Sequence, residues 1–211
     1  VFPRFPIEQG VPGGLPLLNF PEISMWGTYP WGGYGTNPLP ARFQELWESV
    51  GPHLSGGFPY SEGIFEDMNK AAISQFYWDA AKPASDAVRE YIAYEFAPEV
   101  VDEVWEAVQM LETNHQHMLN RPEQREERRF LFEPKADTRR SRALLEDVDG
   151  RLPGYARSSW RWRILLLRGI IDDELARSGG NSTPPCEEAF QELREIYPAQ
   201  DARHSVHPPI A

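Results

Sequence analysis

The chain changes character between Gly57 and Trp78, and this change constrains its fold more than any other feature of the sequence. The segment, GFPYSEGIFEDMNKAAISQFYW, begins with apolar and aromatic residues and becomes an amphipathic helix within a few positions. A strand that runs into a helix through a carboxylate-bearing turn is how α/β enzymes place chemistry at the carboxyl ends of their strands. The acidic or polar side chains at the change are Glu62, Glu66, Asp67 and Asn69.

Residues 1–60, before the change, predict an ordered but irregular arm. They hold ten of the 20 prolines and ten of the 16 glycines, which oppose regular structure. They also hold eleven aromatic residues, which a flexible linker would not carry. Within the arm, residues 22–26 predict a short strand. Residues 40–50 predict a helix that begins at Pro40 and is stopped by Gly51 and Pro52.

Residues 61–197 predict a helical bundle, and residues 198–211 predict a surface tail. Ser61, Ser85 and Thr183 are the expected N-caps of three of the helices. The helix predicted over residues 155–178 is apolar on more than one side, so we expect it to be the central helix. The fold class is therefore mainly α, an orthogonally packed bundle behind an aromatic arm. The helical period predicts helices over residues 61–80, 85–96, 98–119, 136–148, 155–178 and 184–197.

Charge and cysteine content exclude several classes of function. Among 211 residues the net charge is −11, which disfavours nucleic-acid binding and attachment to anionic membranes. The single cysteine, Cys186, excludes an internal disulfide and a cysteine-based zinc site. No apolar run is long enough to span a bilayer. The sequence carries no cofactor motif, so we expect no cofactor.

Carboxylates and aromatic side chains near the change suggest carbohydrate chemistry. Paired carboxylates that flank a sugar, with aromatic rings stacked on its apolar faces, are what glycoside hydrolysis needs. The simpler interpretation is that the acids after Tyr60 complement the positive end of a helix. The candidate set is Glu22, Glu62, Glu66 and Asp67 with Trp26, Trp31, Tyr34 and Tyr60.

Three segments together resemble a known group of proteins. They are FPEISMWGTYPWGGYGTNPLPARFQELW, GGFPYSEGIFEDMNK and WDAAKPASDAVREY. They are similar to the late barrel strands and helical C-terminal region of large glycoside hydrolases of the hexosaminidase-like and α-glucuronidase-like kind. The resemblance covers about residues 18–115. It implies that residues 60–63 end the last barrel strand, that Glu22 lies on the strand before, and that the helices form an appended bundle.

The resemblance also limits the function. A (β/α)₈ barrel needs about 250 residues and takes its catalytic acids from several strands. This chain has room for two strand-like segments before its helices, so we expect a C-terminal fragment or domain that is not catalytic alone. The resemblance implies an extracellular or periplasmic location and a carbohydrate ligand, and a homodimer through the aromatic arm is a further expectation. The implied substrate-contact residues are Glu22, Trp26, Trp31, Tyr60 and Glu62.

Three other groups of residues are weaker candidates. Glu112 and His115 are three apart on a predicted helix and could face one metal, but a metal needs three or four ligands, and a histidine with other partners is favoured. Cys186 at a helix start is expected to be structural. The arginines between residues 121 and 142 alternate with acids, which favours a salt-bridged surface over a nucleic-acid site.

Two alternatives to the fragment hypothesis stay open. The chain could be a free-standing helical structural or interaction domain, with the aromatic arm as a packing surface. It could also be a small complete hydrolase that uses Glu22 and Glu62, although a catalytic pair without a barrel has little to hold it in position.

Overall fold

A computed structural model describes residues 4–21, 23, 37–60, 66–115 and 132–196 of the protein. In these residues the chain is mainly helical, as the sequence predicts. Two short strands, β1 (Leu18–Asn19) and β2 (Gly56–Gly57), pair in parallel. The helices are α1 (Arg4–Gln9), α2 (Pro40–Val50), α3 (Asp67–Trp78), α4 (Ala84–Glu95), α5 (Val101–Thr113), α6 (Thr138–Arg151), α7 (Gly154–Arg157), α8 (Trp160–Ser178) and α9 (Pro184–Ile196).

The larger hydrophobic core lies between α2, α3, α4, α5, α6 and one side of α8. The apolar stripe of each helix supplies it, because apolar residues that recur every three or four positions fall on one face. The indole ring of Trp47 on α2 stacks on Phe76 of α3 with the ring centroids 5.1 Å apart. Ile92 and Val104 are completely buried. Burying one such side chain favours folding by about 1.5–3 kcal/mol.

Helix α8 is buried on two sides, as its apolar pattern predicts. Trp162 and Leu165 enter the larger core. Leu167 and Ile171 lie in a second apolar cluster, which α9 completes with Phe190 and other apolar residues. A helix that is apolar around most of its surface is stable only when neighbours cover it on more than one side. Here α6 and α9 are among the neighbours that contact it.

Several predicted helix ends are wrong, and tertiary contacts explain those of α4 and α5. Helix α3 begins at Asp67, and the predicted cap Ser61 lies outside the described residues. Ser85 does not cap α4, because Pro83 occupies the cap position and the N–H of Ala84 donates to Oε1 of Gln44 at 2.8 Å.

Two more boundaries differ from the prediction. Helix α5 ends at Thr113, short of residue 119, because Asn114 and His115 make contacts with residues 132–137 instead. The helix predicted over residues 155–178 is divided into α7 and α8, because the extended Ser159 caps α8 with its hydroxyl. No described helix combines the length and the apolarity needed to cross a bilayer.

Candidate functional site

The carboxyl ends of the two parallel strands define the candidate site. The strand pairing extends beyond β1 and β2, since the N–H of Tyr60 donates to the carbonyl of Pro21 and the N–H of Ile23 donates to the carbonyl of Tyr60, both at 2.8 Å. Helix α2 lies between the strands in the chain, so the segment forms a strand–helix–strand unit. Ligands of open α/β sheets bind at such carboxyl ends.

Pairing begins earlier than the strand predicted over residues 22–26, since β1 starts at Leu18. It reaches Ile23, and the other residues of the predicted strand lie outside the described residues.

The inner face of the strand pair is fixed to the helical bundle. Asn19 is buried, and its Oδ1 accepts a hydrogen bond from the hydroxyl of Tyr77 on α3. Burial raises the pKa of this hydroxyl, and the bond to Asn19 opposes the shift. Opposite Asn19 stands Gly57, where an added Cβ would lie 2.4 Å from the carbonyl oxygen of Asn19. The two strands therefore approach closely because one of them carries no side chain at this point.

The outer face of the strand pair is apolar and exposed, and we call Leu18, Phe20, Phe58 and Tyr60 the aromatic face. Side chains alternate between the faces of a strand, so these four residues share one side. The rings of Phe20 and Phe58 meet edge to face with centroids 5.0 Å apart, and the ring of Phe20 lies 5.2 Å from that of Tyr60. The exposed fractions of Leu18, Phe20 and Phe58 are 61%, 58% and 61%.

Tyr60 is the one predicted substrate-contact residue that the described part of the chain contains. It is 36% exposed and stands at the carboxyl end of its strand. The other four predicted contacts, Glu22, Trp26, Trp31 and Glu62, lie outside the described residues.

A buried polar cluster holds the chain where it enters α2. The amide of Asn69 on α3 both donates to the carbonyl of Asn37 and accepts from the N–H of Leu39, each at 2.9 Å. The Glu112 carboxylate, from α5, accepts from the N–H groups of Ala41 and Arg42 at 3.1 and 3.0 Å. Glu112 therefore caps α2 from another helix. Burial raises the pKa of its carboxyl, while these N–H groups act in the opposite direction.

Arg168 on α8 lies at the centre of this cluster, with its side chain completely buried. It donates to Oδ1 of Asn37 at 2.9 Å and to the carbonyl of Leu111 at 2.5 Å. Its carboxylate partner is Asp172, 3.4 Å away, whose other oxygen lies 2.8 Å from Nε2 of His115. Desolvation lowers the pKa of Arg168, and Asp172 opposes the shift.

The acids at the start of α3 support structure. The carboxylate of Asp67 accepts from Nε of Arg161 at 2.6 Å and from the hydroxyl of Tyr91 at 3.3 Å. Burial, followed by the charge of Asp67, raises the pKa of Tyr91. Glu66 is buried at the cap position of the helix. This arrangement favours the simpler interpretation for Glu66 and Asp67.

The residues considered for a metal have other partners. Glu112 points to the start of α2 and His115 to Asp172, so the two do not face one ion. Among the described residues no group of three or more His, Cys, Asp or Glu side chains is placed to hold a metal. Cys186 is buried, and desolvation raises the pKa of its thiol to about 11, which disfavours a reactive thiolate.

Arg140 and Arg142 on α6 form ion pairs with acids, as predicted for a salt-bridged surface. Arg140 pairs with Glu106 of α5 at 2.6 Å. Arg142 pairs with Glu146 on its own helix and with Asp173 and Glu174 of α8 at 2.8, 3.2 and 2.7 Å. The arginines between residues 121 and 129 lie outside the described residues.

The buried cluster around Arg168 was not predicted from the sequence. One signal was present, because Arg168 and Asp172 are four apart in α8, the longest of the described helices. Two opposite charges at that spacing on a helix that must be buried indicate a buried ion pair. The partner of Arg168, Asn37, is 131 positions away, and nothing near it in the sequence marks it.

The similarity that comparisons with known proteins give concerns the fold. No protein-family model matches the chain, and no curated protein matches it in sequence. Among solved structures, it is similar to a family GH115 4-O-methyl-α-glucuronidase with specificity for decorated arabinogalactans. The TM-score is 0.53 at 9% sequence identity, and the match covers 87% of this chain and 28% of the glucuronidase chain. The chain thus spans less than a third of that enzyme.

Proposed function

We propose that this chain is a glycoside-hydrolase-associated domain that supplies two parallel strands and a helical bundle to a larger carbohydrate-active assembly. The strand segments around β1 and β2 would join further strands of a barrel, which would also cover the aromatic face. The bundle would support them from outside. On this proposal the chain alone does not catalyse hydrolysis.

The observation that carries the proposal is the exposure of Phe20 and Phe58 on a strand pair that, among the described residues, forms a two-stranded parallel sheet. Parallel sheets are almost always covered on both faces, and a two-stranded sheet is marginal by itself. Here the helices cover the inner face, while Phe20 and Phe58 remain more than half exposed on the outer face. Further strands would cover these rings and pair with the two strand segments. The fold similarity to a glucuronidase and the resemblance of residues 18–115 to glycoside hydrolases agree with this assignment.

A carbohydrate ligand would lie at the carboxyl ends of the strands. Tyr60 would contribute an aromatic surface there, and Glu22, Trp26, Trp31 and Glu62 are the further contact residues that we propose. Decorated arabinogalactan is the first ligand to test, because the similar glucuronidase is specific for it. In a calorimetric titration, oligosaccharides from this glycan should bind the wild type, and Tyr60→Ala should weaken binding. Tyr155→Ala, which removes a tyrosine that is 74% exposed on α7, is the matched control.

Self-association of the isolated chain tests the aromatic face. An apolar sheet surface left uncovered should pair with a second copy, so we expect a concentration-dependent dimer in sedimentation velocity. The double variant Phe20→Ser and Phe58→Ser should remain monomeric at the same concentrations. The matched control is Trp78→Ser with Tyr94→Ser, which removes two aromatic residues that are 90% and 87% exposed on α3 and α4.

The control variant should dimerise like the wild type. A wild type that stays monomeric at high concentration and fails to bind oligosaccharide would contradict the proposal and favour the free-standing domain. A dimer that the control variant loses, while the variant of the aromatic face keeps it, would place the interface elsewhere.

A further inference from the structure

The connection between the strands is held by polar groups from three helices that follow it in the chain. Residues 37–42 of this connection contain the first turn of α2, and the chain runs on through that helix to β2. We call these residues the return segment. Asn69 of α3 binds its backbone at Asn37 and Leu39. Glu112 of α5 binds two of its N–H groups, and Arg168 of α8 binds the side chain of Asn37. We call these three side chains the clamp.

We propose that the clamp is a positioning device: it fixes the return segment against the bundle and thereby sets the placement of the strand pair, with Arg168 as its central positioning residue. This inference concerns the chain itself and does not depend on the proposed function. Its consequence is that the order of the strand segment depends on groups that lie up to 131 positions away in the sequence.

The choice of polar groups supports this role. A fully buried arginine is a weak source of stability, because apolar residues of similar size often do as well or better in its place. Apolar packing of α2 on α3, through rings such as Trp47 and Phe76, already supplies burial. Hydrogen bonds also fix the orientation of the segment, because a donor and its acceptor bond only within a narrow range of distances and angles. Four backbone groups of the return segment are bound in this way, at Asn37, Leu39, Ala41 and Arg42.

The geometry also transmits the constraint to the strands. Helix α2 is one rigid element of 11 residues, and a turn at residues 51–53 joins it to the second strand segment. Fixing the first turn of α2 therefore limits where Ser55 and Phe58 can meet their partners, the carbonyls of Leu17 and Asn19. If the clamp is released, the strand pairing should loosen together with the return segment.

Amide hydrogen exchange of the whole chain tests the clamp. In Asn69→Ala we expect exchange to accelerate at least about tenfold at the N–H groups of Leu39 and Ala41 and, by a similar factor, at those of Phe58 and Tyr60. Exchange within α9 should not change. The second variant is Arg168→Met with Asp172→Asn. It removes both charges of the Arg168–Asp172 ion pair and leaves His115 a hydrogen-bond partner. It should show the same pattern.

The matched control is Arg163→Met. It removes an arginine from the same helix, one that binds both oxygens of Glu192 at 2.6 and 2.7 Å and does not belong to the clamp. In this variant exchange should accelerate in α9 and stay unchanged at Leu39 and Phe58. The wild type in dilute urea gives a measurement that needs no variant, since Leu39, Ala41, Phe58 and Tyr60 should open with one common free energy.

Two results would overturn the inference. One is acceleration confined to Leu39 and Ala41 while Phe58 and Tyr60 keep their protection, because the clamp would then act only locally. The other is an equal acceleration at every amide of the chain, including those of α5 and α9, because the variants would then have lowered only global stability.

Discussion

Glu174 is the residue at which α6, α8 and the turn before α9 meet. Its carboxylate accepts from the hydroxyl of Thr183 and from Nη1 of Arg142, each at 2.7 Å. The bond from Thr183 is the largest cause that lowers the pKa of this carboxyl, and burial opposes it. A carboxyl whose pKa is lower in the folded state stabilises the fold above its ordinary pKa. That stability is lost as the pH falls through the lowered value.

We therefore predict that Glu174→Gln is less stable than the wild type near neutral pH, by about 1–3 kcal/mol. The difference in unfolding free energy should be smaller at about pH 3.5 than at about pH 6, because the stabilisation by the carboxylate declines once the pH falls below the ordinary pKa of glutamate. Urea unfolding at both pH values measures it. Glu188→Gln, at an exposed position on α9, is the control and should show no such dependence. A Glu174→Gln deficit that is equal at both pH values would contradict the ionic role.

Leu167 marks the second apolar cluster, between α8 and α9. Its side chain is 2% exposed, among residues that include Ile171 and Phe190. Leu167→Ala should cost about 2–5 kcal/mol, since a buried leucine loses both transfer energy and packing. Denaturant unfolding measures the loss, and Leu15→Ala, at a side chain that is 66% exposed, should stay close to the wild type. A cost below about 1 kcal/mol for Leu167→Ala would mean that the cluster repacks or is not buried.

Single residues were predictable from the sequence where local pattern decides their place. Val88, Ile92 and Phe96 are buried as the helical period of α4 predicts. Thr183 caps α9 as predicted, since its hydroxyl accepts from the N–H of Cys186. Polar residues with distant partners were not predictable. Glu112, for example, caps a helix that lies 70 positions earlier in the chain, and no local rule pairs these two segments.

At the scale of elements, the strand pair depends on Gly57. A Cβ there would lie 2.0 Å from Oδ1 of Asn19 and 2.4 Å from its carbonyl oxygen, and a backbone atom cannot move aside cheaply. Gly57→Ala should therefore break the pairing, accelerate exchange at the N–H of Phe58 and destabilise the chain by about 1–3 kcal/mol. Exchange and urea unfolding measure both effects. A variant that kept the wild-type exchange rate at Phe58 would show that the close approach is absent in solution.

Gly150→Ala is the matched control for this prediction. Gly150 lies within α6 and an added Cβ would meet no atom within 4 Å. Alanine favours helix over glycine by up to about 1 kcal/mol, so this variant should be as stable as the wild type or more stable.

Elements were predictable where propensity and core pattern agree. Helix α2 spans the predicted residues, because Pro40 suits a first turn and the α-helix passes into a 3-10 turn at Gly51–His53, where Pro52 offers no N–H. Helix α8 is central, because an apolar surface on several sides must be covered. The predicted helix boundaries were wrong where a side chain from another element binds the free backbone groups of a helix end, as Gln44 does at the start of α4. The prediction started the first strand too far along the chain. Its pairing is made by backbone groups, which the side-chain pattern does not reveal.

At the scale of the whole molecule, the described chain combines a supported strand pair with exposed apolar side chains on its outer face. The inner face is tied to α3 through Tyr77 and Asn19, and the connection is tied to three helices through the clamp. The helical class followed from the sequence, since most of the chain after residue 61 has helical period. The candidate site was predictable only in outline, because Tyr60 is the only one of its five predicted residues that the structure describes.

The last prediction concerns catalysis by the isolated chain. Glycoside hydrolysis needs two carboxyl groups held about 5–9.5 Å apart on opposite sides of the sugar bond. Catalytic groups must also keep their geometry to within about 0.5 Å, which demands a rigid supporting shell. In the described residues the strand support amounts to one parallel pair, and Asp67 is engaged by Arg161.

We therefore expect no turnover of aryl glycosides, including aryl glucuronides, above the uncatalysed rate. Chromogenic release measured over days, with Glu62→Gln as the control, checks this. Turnover by the wild type that disappears in Glu62→Gln would contradict the prediction and make the chain a complete small hydrolase.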